Sequence, residues 1–531
     1  MTTSGPGPSH SPSAGPAHHA CRNRLARRVV GLVGEDGLIR AACESRVLES
    51  ALLLHLCTEL APRLPARARL TDHLRRTLRA APPDPVQAAV ARAALGERAT
   101  GEAGTAAALS DFAHFTAGRK QLMFTTLLAE LGAARWPRVP LHAYDGRGRQ
   151  SWLALEMTAL KVLAAYGTGR VSELREDDWR ALAPALWPDR IWEANYLARL
   201  LGLLALGRDP GRRPAVIEAV ARTAQDLRPD GGLPFITGMD IFTTALAGLA
   251  LTACGPAPGV PLARMADALA ARQLPDGGFG FTRDVRQSDT DDTAYCLEFL
   301  RATGPSRYAE HIHAAEDRLA ALRNEDGGFP TFARGTASEV AMTAGAVNAL
   351  APGIRHRRLA EEGFVFLADA ILSGRQPERS WSRSIGNVLF RTVLACRTMG
   401  PSPRTATVRT RALDQLLGAR GPDGLWGHTS HGPADPVSTA YATVALAAAG
   451  PADSARAAAP LRACVDYLTA HQRPDGGFDS MPDQSGPRPL LYDVPVLTDV
   501  CVLLGLGYAS RLQPVMTPGL SPGRPRPGRK G

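Results

Sequence analysis

The sequence predicts an all-α protein of two helical domains, the larger an (α/α)6 barrel of about six helical hairpins. Two observations predict it. A turn built on Asp-Gly recurs along the C-terminal half, each time followed by an alanine-rich apolar run. The N-terminal third is also helical in composition, and its helices are parted by proline-marked loops. At 531 residues the chain exceeds one ordinary domain, and its 45% hydrophobic and 21% charged residues are those of a globular protein with a sizeable core.

The repeat sets the frame. Arg-Pro-Asp230-Gly-Gly-Leu returns as Leu-Pro-Asp276-Gly-Gly-Phe, Asn-Glu-Asp326-Gly-Gly-Phe, Gly-Pro-Asp423-Gly-Leu-Trp and Arg-Pro-Asp475-Gly-Gly-Phe. These aspartates lie 46, 50, 97 and 52 residues apart, so the 97 is two periods with a worn copy near Gly374. Gly supplies the positive φ of such a turn, and Asp caps it locally. Beyond each turn a Thr-Ala opens the apolar run: Thr244-Ala245, Thr293-Ala294, Thr343-Ala344 and Thr439-Ala440, with Thr392 and Thr498 as looser equivalents. The runs stop at Gly-Pro, as at Gly255-Pro256 and Gly450-Pro451. Two helices fit each unit, and small residues on the second helix favour a closed ring over an open solenoid. The barrel is expected over residues 207–512.

Helices are also expected over 43–61, 86–99, 106–134, 151–167 and 191–207, in a smaller helical domain at 25–206. Glu35-Asp36-Gly37-Leu38 reads as a worn copy of the same turn. Residues 1–24 and 513–531, rich in Pro, Gly and Ser, are read as disordered tails. The net charge of +10 suggests nucleic acid, but Arg22, Arg24, Arg27, Arg28, Arg524, Arg526, Arg529 and Lys530 carry most of it near the ends. The body is nearly balanced, which argues against a nucleic-acid partner. Eight scattered cysteines with no CxxC fit reduced, buried thiols in a cytoplasmic protein. No apolar run reaches the roughly 18 residues of a membrane span, and no secretory leader is expected.

One unit carries chemistry that its siblings lack. The four residues before the Thr-Ala read Asp240-Ile241-Phe242-Thr243, Glu339-Val340-Ala341-Met342 and Asp435-Pro436-Val437-Ser438 in three units. In the second unit they read Asp289-Thr290-Asp291-Asp292. Crowded carboxylates cannot all ionise, so one holds its proton, and a helix N-terminus supports the anion left when that proton departs. Such an acid suits protonation of a very weak base, for example an isolated carbon–carbon double bond. Aromatic residues gather at the same turns and helix starts, and their π faces can stabilise a cation. Most of them pack neighbouring hairpins; Tyr295, Trp381 and Trp426 are the candidates for a cavity wall.

The Asp-Gly-Gly-Phe turns resemble the repeats of terpene cyclases related to squalene–hopene cyclase. Asp289-Thr290-Asp291-Asp292 with Thr293-Ala294 resembles the DxDD-Thr-Ala motif of class II terpene cyclases, and the resemblance covers roughly residues 25–512. At its length the chain looks like a bacterial class II diterpene cyclase of the copalyl or labdane type. The resemblance implies two α-barrel domains, called β and γ, with the cavity between them. It implies Asp291 as general acid, supported by Asp289 and Asp292. Protonation of the terminal alkene of geranylgeranyl diphosphate would start ring closure, with the diphosphate retained. It further implies Mg²⁺ near the diphosphate, held by acids of the smaller domain, for which Glu44 and Glu49 are the candidates. Arg119 and Lys120 are the candidates for the diphosphate itself. An Asn that pairs with the middle Asp in such enzymes has no clear counterpart in Met342 to Asn348. No DDxxD motif of the ionising class is found.

Rival readings stay open. A squalene-type cyclase would share the acid and take a hydrocarbon, and a farnesyl diphosphate cyclase would give a drimane skeleton. A protein prenyltransferase-like barrel would need zinc, and Asp292 and Cys296 lie one helical turn apart. A non-catalytic helical repeat would leave the tetrad unexplained. The expected partner is a small isoprenoid diphosphate, and the reading leaves room for a homodimer.

Overall fold

Each Asp-Gly of the repeat forms the same small turn. In the computed structural model, which describes residues 16–80, 84–97, 116–255 and 259–511, Gly37, Gly231, Gly277, Gly327, Gly424 and Gly476 all have φ between +79° and +87°. That is the left-handed region, where a side chain is strained. The aspartate carboxylate accepts the N–H two residues on, at 3.0 Å for Gly232, Gly278, Gly328 and Leu425 and 3.1 Å for Gly477. At the worn copy Ser373 takes the aspartate's part: its hydroxyl accepts from the Arg375 N–H, and Gly374 has φ +77°.

Several of the turns are then tied to an inner helix. The next N–H donates to an oxygen on the first or second turn of the following inner helix: Phe279 to Thr293 at 3.0 Å, Phe329 to Thr343 at 2.9 Å, and Phe478 to Asp499 at 2.8 Å. The threonine of the Thr-Ala signature is therefore a structural acceptor.

The helices so placed are α10 (Asp240–Ala253), α12 (Thr290–Thr303), α14 (Val340–Leu350), α16 (Ile385–Met399), α18 (Pro436–Ala447) and α20 (Pro495–Arg511). Each touches the next, and α20 touches α10, so the inner ring is closed. Small residues let it close: a Cβ on Gly505 would lie 3.0 Å from the Ala440 carbonyl oxygen. Outside lie α11 (Leu262–Ala270), α13 (Ala309–Leu322), α15 (Arg357–Leu372), α17 (Pro403–Gly418) and α19 (Ser454–Ala470). The sixth outer helix is α1 (Pro16–Gly31), which packs on α19 and α20.

This corrects the expected domain boundaries. The break at 24/25 falls inside α1, and the worn turn at Asp36 is the first turn of the large barrel, since the Ile39 N–H donates to Thr244 on α10 at 2.9 Å. The smaller domain is inserted between that turn and its helix. The Asp230 turn belongs to this insertion: Leu233 N–H donates to Ser50 and the Ser45 hydroxyl donates to Asp230. The two chain crossings meet in a two-residue antiparallel pair, β1 (Ser45–Arg46) with β2 (Leu233–Pro234). The expected tail at 513–531 and residues 1–15 lie outside the described residues.

The insertion contains α2 (Val47–Leu60), α3 (Ala66–Ala80), α4 (Pro85–Ala94), α5 (Ala117–Glu130), α6 (Ser151–Gly167), α7 (Glu176–Leu182), α8 (Tyr196–Leu206) and α9 (Arg213–Thr223). Among the described residues α2, α4, α5, α6 and α8 touch in ring order, a second and smaller barrel. The expected helix at 151–167 matches α6, while 106–115 of the one expected at 106–134 lies outside the described residues. All eight cysteines are free, and no described helix is long and apolar enough to cross a membrane.

The tie between turn and helix makes a stability prediction. Thr343→Val keeps the shape and leaves the buried Phe329 N–H unpaired, which costs about 1–3 kcal/mol. The expected readout is a lower denaturant midpoint with an unchanged slope.

Candidate active site

The tetrad is held from three sides. Asp289 caps α12, accepting the Asp292 N–H at 2.9 Å, and its own N–H donates to the Phe279 carbonyl at 3.0 Å. Thr290 reaches the following unit, donating from its N–H to the Thr331 carbonyl at 2.8 Å and from its hydroxyl to the Pro330 carbonyl at 2.6 Å. Two repeat turns thus grip the helix start where the carboxylates stand.

Burial sets their charge. Asp289 and Asp292 are 4% and 3% exposed. Desolvation, the Asp289 charge and its hydrogen bond, then Asp291, push Asp292 well above the usual carboxylate range. Desolvation also raises Asp289, to about 6, against the pull of its hydrogen bond with Asp292. The pair therefore shares one proton. Oδ1 of Asp292 is buried without a hydrogen-bond partner.

Asp291 has a different partner. Both Nη atoms of Arg391 on α16 donate to its two carboxylate oxygens, the second at 3.2 Å. Arg391 is buried, and its guanidinium lies 4.8 Å from the centre of the Tyr295 ring. Asn348 does not reach Asp291; its amide donates to the Arg391 carbonyl at 3.2 Å. Arg391 stands directly before Thr392, the threonine that marks this unit in the repeat. A guanidinium in the middle of an inward-facing helix was the signal available.

In front of the tetrad lies a cavity of about 620 Å³ between the two domains. Its wall is apolar and aromatic: Phe235, Phe242, Phe281, Phe332, Trp381 and Tyr492 from the large barrel, Trp152 from α6 of the smaller. Glu193 also lines it, with Oε2 accepting the Arg286 N–H at 2.9 Å. A second cavity of similar size adjoins it, lined by Arg119, Lys120, Arg149 and Arg488. The two share Trp152, Thr331, Phe332 and Trp381 as wall residues.

The second cavity is an anion site by its charge. Desolvation first, then the Arg119, Arg46 and Arg488 charges, lower Lys120 to about 7 against the pull of Glu156. Desolvation and Arg149 lower Arg119 to about 10. Glu156 is fully buried with neither carboxylate oxygen hydrogen-bonded, and desolvation raises it to about 7. Cations crowded and stripped of water in this way are relieved by a bound anion.

The structure thus brings Asp289, Asp291, Asp292 and Trp381 to one cavity and Arg119 with Lys120 to its neighbour. Tyr295 stands behind the acid, beneath Arg391, and lines the barrel lumen rather than the aromatic cavity. Trp426 is a correction: its indole is buried and its N–H donates to the Leu416 carbonyl at 2.8 Å, so it packs the barrel and walls neither cavity. Glu44 and Glu49 are a second correction. Glu44 is exposed, while Glu49 is buried in a bidentate pair with Arg46 at 2.5 and 2.7 Å, so the two do not form a metal site. Among the described residues no group of three or more His, Cys, Asp or Glu side chains is arranged to hold a metal ion.

No family model matches the sequence. The chain is 54% identical over 523 residues to a drimenyl diphosphate synthase of Streptantibioticus cattleyicolor, covering 94% of this chain and 97% of that protein. It is 55% identical over 506 residues to a drimenyl diphosphate synthase of Streptomyces showdoensis, covering 92% and 94%. The fold matches ent-copalyl diphosphate synthase from Streptomyces platensis at a TM-score of 0.58 and 21% identity, covering 93% of this chain and all of that one. With carboxylates at the head of an aromatic cavity and relatives of this closeness, the chain belongs to the class II terpene cyclases.

Proposed function

We propose that this enzyme cyclises farnesyl diphosphate to drimenyl diphosphate. The observation that carries the reading is the joined pair of cavities, an acid at the head of the apolar one and four cations in the other. The C15 chain length comes from the two drimenyl diphosphate synthases that share over half of the sequence. It replaces the C20 substrate expected from sequence.

In this reading Asp291 takes up a proton that displaces its pairing with Arg391, delivers that proton to the terminal alkene and returns to the Arg391-paired carboxylate. The tertiary cation is attacked by the next double bond and then the next, closing two rings. Transfer of one proton from the bicyclic cation to water or a base ends the reaction, so the conversion is an isomerisation with the diphosphate kept. Arg391 holds the Asp291 carboxylate after transfer, and the helix N-terminus adds to that support. Aromatic faces of the cavity stabilise the travelling charge. Arg119, Lys120, Arg149 and Arg488 hold the diphosphate away from the acid. Mg²⁺ stays in the proposal as a companion of the diphosphate; Glu44 and Glu49 do not fit as its ligands, and no step passes through it.

A second reading makes Asp292 the donor, because burial raises that carboxyl most. Separate substitutions decide. Asp291→Asn is expected to cut turnover by about 10²–10⁴-fold or more with the fold intact, and Asp292→Asn by less. The reverse order moves the acid to Asp292. Product is read by gas chromatography after phosphatase treatment. Full turnover by both variants refutes the acid mechanism.

Arg391→Gln leaves the Asp291 carboxylate without its cation. It is expected to lower kcat more than it raises KM, as for loss of a contact that matters after proton transfer.

The basic cavity makes a pH prediction. Burial favours neutral Lys120 and neutral Glu156, and both titrate near 7. As pH rises through that value Lys120 loses its charge and Glu156 gains one, so the site becomes less cationic. KM for the diphosphate is expected to rise above about pH 7. Lys120→Arg, which stays charged, removes most of that rise.

A further inference from the structure

Three of the four residues common to both cavities form a fixed aromatic triangle. Trp152 comes from α6, Phe332 from the loop after the Asp326 turn, and Trp381 from the loop before α16. Their ring centres lie 5.9 Å (Trp152–Phe332), 6.3 Å (Trp152–Trp381) and 5.9 Å (Phe332–Trp381) apart, all edge to face. This is the favoured geometry of packed aromatic rings.

Hydrogen bonds hold the triangle in place. The Trp381 indole N–H donates to the Thr331 hydroxyl at 3.2 Å, and that hydroxyl donates to Glu339. The Ser380 hydroxyl donates to the other oxygen of the same buried carboxylate at 2.5 Å. Ser380 has φ +49°, a strained conformation for a residue with a side chain. Neighbouring backbone adds a further anchor, the Ser485 N–H to the Trp381 carbonyl at 2.9 Å. Trp381 therefore has little freedom to swing aside.

Its position bears on chain length. The acid fixes where the terminal alkene lies, and the basic cavity fixes the diphosphate. A C15 and a C20 chain share the distal part that closes two rings. They differ by one isoprene unit between the rings and the diphosphate. That unit falls where the two cavities meet.

Resting on the farnesyl diphosphate reading, we propose that Trp152, Phe332 and Trp381 are the chain-length stop of this enzyme. They leave room for the first carbons next to the diphosphate and none for a further isoprene unit, so the C20 diphosphate cannot place its terminal alkene at Asp291 while its diphosphate is held. The triangle selects by exclusion, and removing one ring opens the space without touching the acid or the cations.

The test compares farnesyl and geranylgeranyl diphosphate with wild type, Phe332→Ala and Trp381→Ala, scoring kcat/KM for each substrate. Wild type is expected to favour the C15 substrate. At least one variant is expected to raise the C20:C15 ratio of kcat/KM at least about tenfold, the scale on which apolar pockets discriminate by size. The expected new product is a bicyclic C20 diphosphate. Where an alanine variant melts out, Phe332→Leu or Trp381→Leu supplies the ratio. An unchanged or falling ratio in folded variants overturns the stop, as does equal loss of both substrates, which marks the rings as cation wall alone. A wild type that makes no product from farnesyl diphosphate instead overturns the substrate reading, and the stop falls with it.

Discussion

The hydrogen bond that ties the Asp36, Asp276, Asp326 and Asp475 turns to their inner helices is the constraint on which the rest is built. A backbone amide buried beside an Asp-Gly turn needs an acceptor, and the helix supplies one from a threonine or aspartate on its first or second turn. The helix N-terminus is thereby set against the turn. Repeated around the ring, this brings turns and helix starts together, and the cavity opens at the turn that carries the tetrad. Loops are the adaptable part of such a frame, so chemistry can be placed there without reworking the barrel.

Charge burial is the second theme. Three carboxylates at one helix start would be costly alone. The structure resolves them by splitting the set: two share a proton, and the third takes a guanidinium from across the barrel. The basic cavity holds the opposite case, with cations in excess of carboxylates. Glu49 is already spent on Arg46, and Glu156 is driven toward its neutral form. One end of the joined cavities thus carries an acid with a supported conjugate base, and the other waits for an anion.

Much of this was legible in the sequence, and the failures have physical causes. The turns, the closed ring of six inner helices and the tetrad at a helix start follow from local chemistry: glycine at positive φ, threonine as acceptor, aspartate as cap. Partners distant in sequence were not legible. Asp291 and Arg391 lie 100 residues apart, and no local pattern joins them. The Asp230 turn was assigned to the large barrel because its spacing to Asp276 fits the period, whereas its hydrogen bonds run to α2 of the smaller domain. Trp426 sits at a turn like the cavity aromatics, yet its ring is turned inward and its N–H is satisfied by a backbone carbonyl. Glu49 looked free because its cation, Arg46, stands just before the helix and folds back on it.

The placement of α1 as the sixth outer helix has a consequence for how the protein is made. Its seat lies against α19 and α20, held by Arg28 on Asp499 at 2.7 Å and Arg24 on Gln472 at 2.9 Å. That seat emerges from the ribosome only when nearly the whole chain has been translated. At roughly 5–20 residues per second, the first helix waits tens of seconds for the last. The inserted domain can fold during that delay, and the ring can be sealed only afterwards, by joining the two ends of the polypeptide. Synthesis therefore leaves the seam between α1 and its seat open until α19 and α20 have emerged, with the residues that line it bare until then.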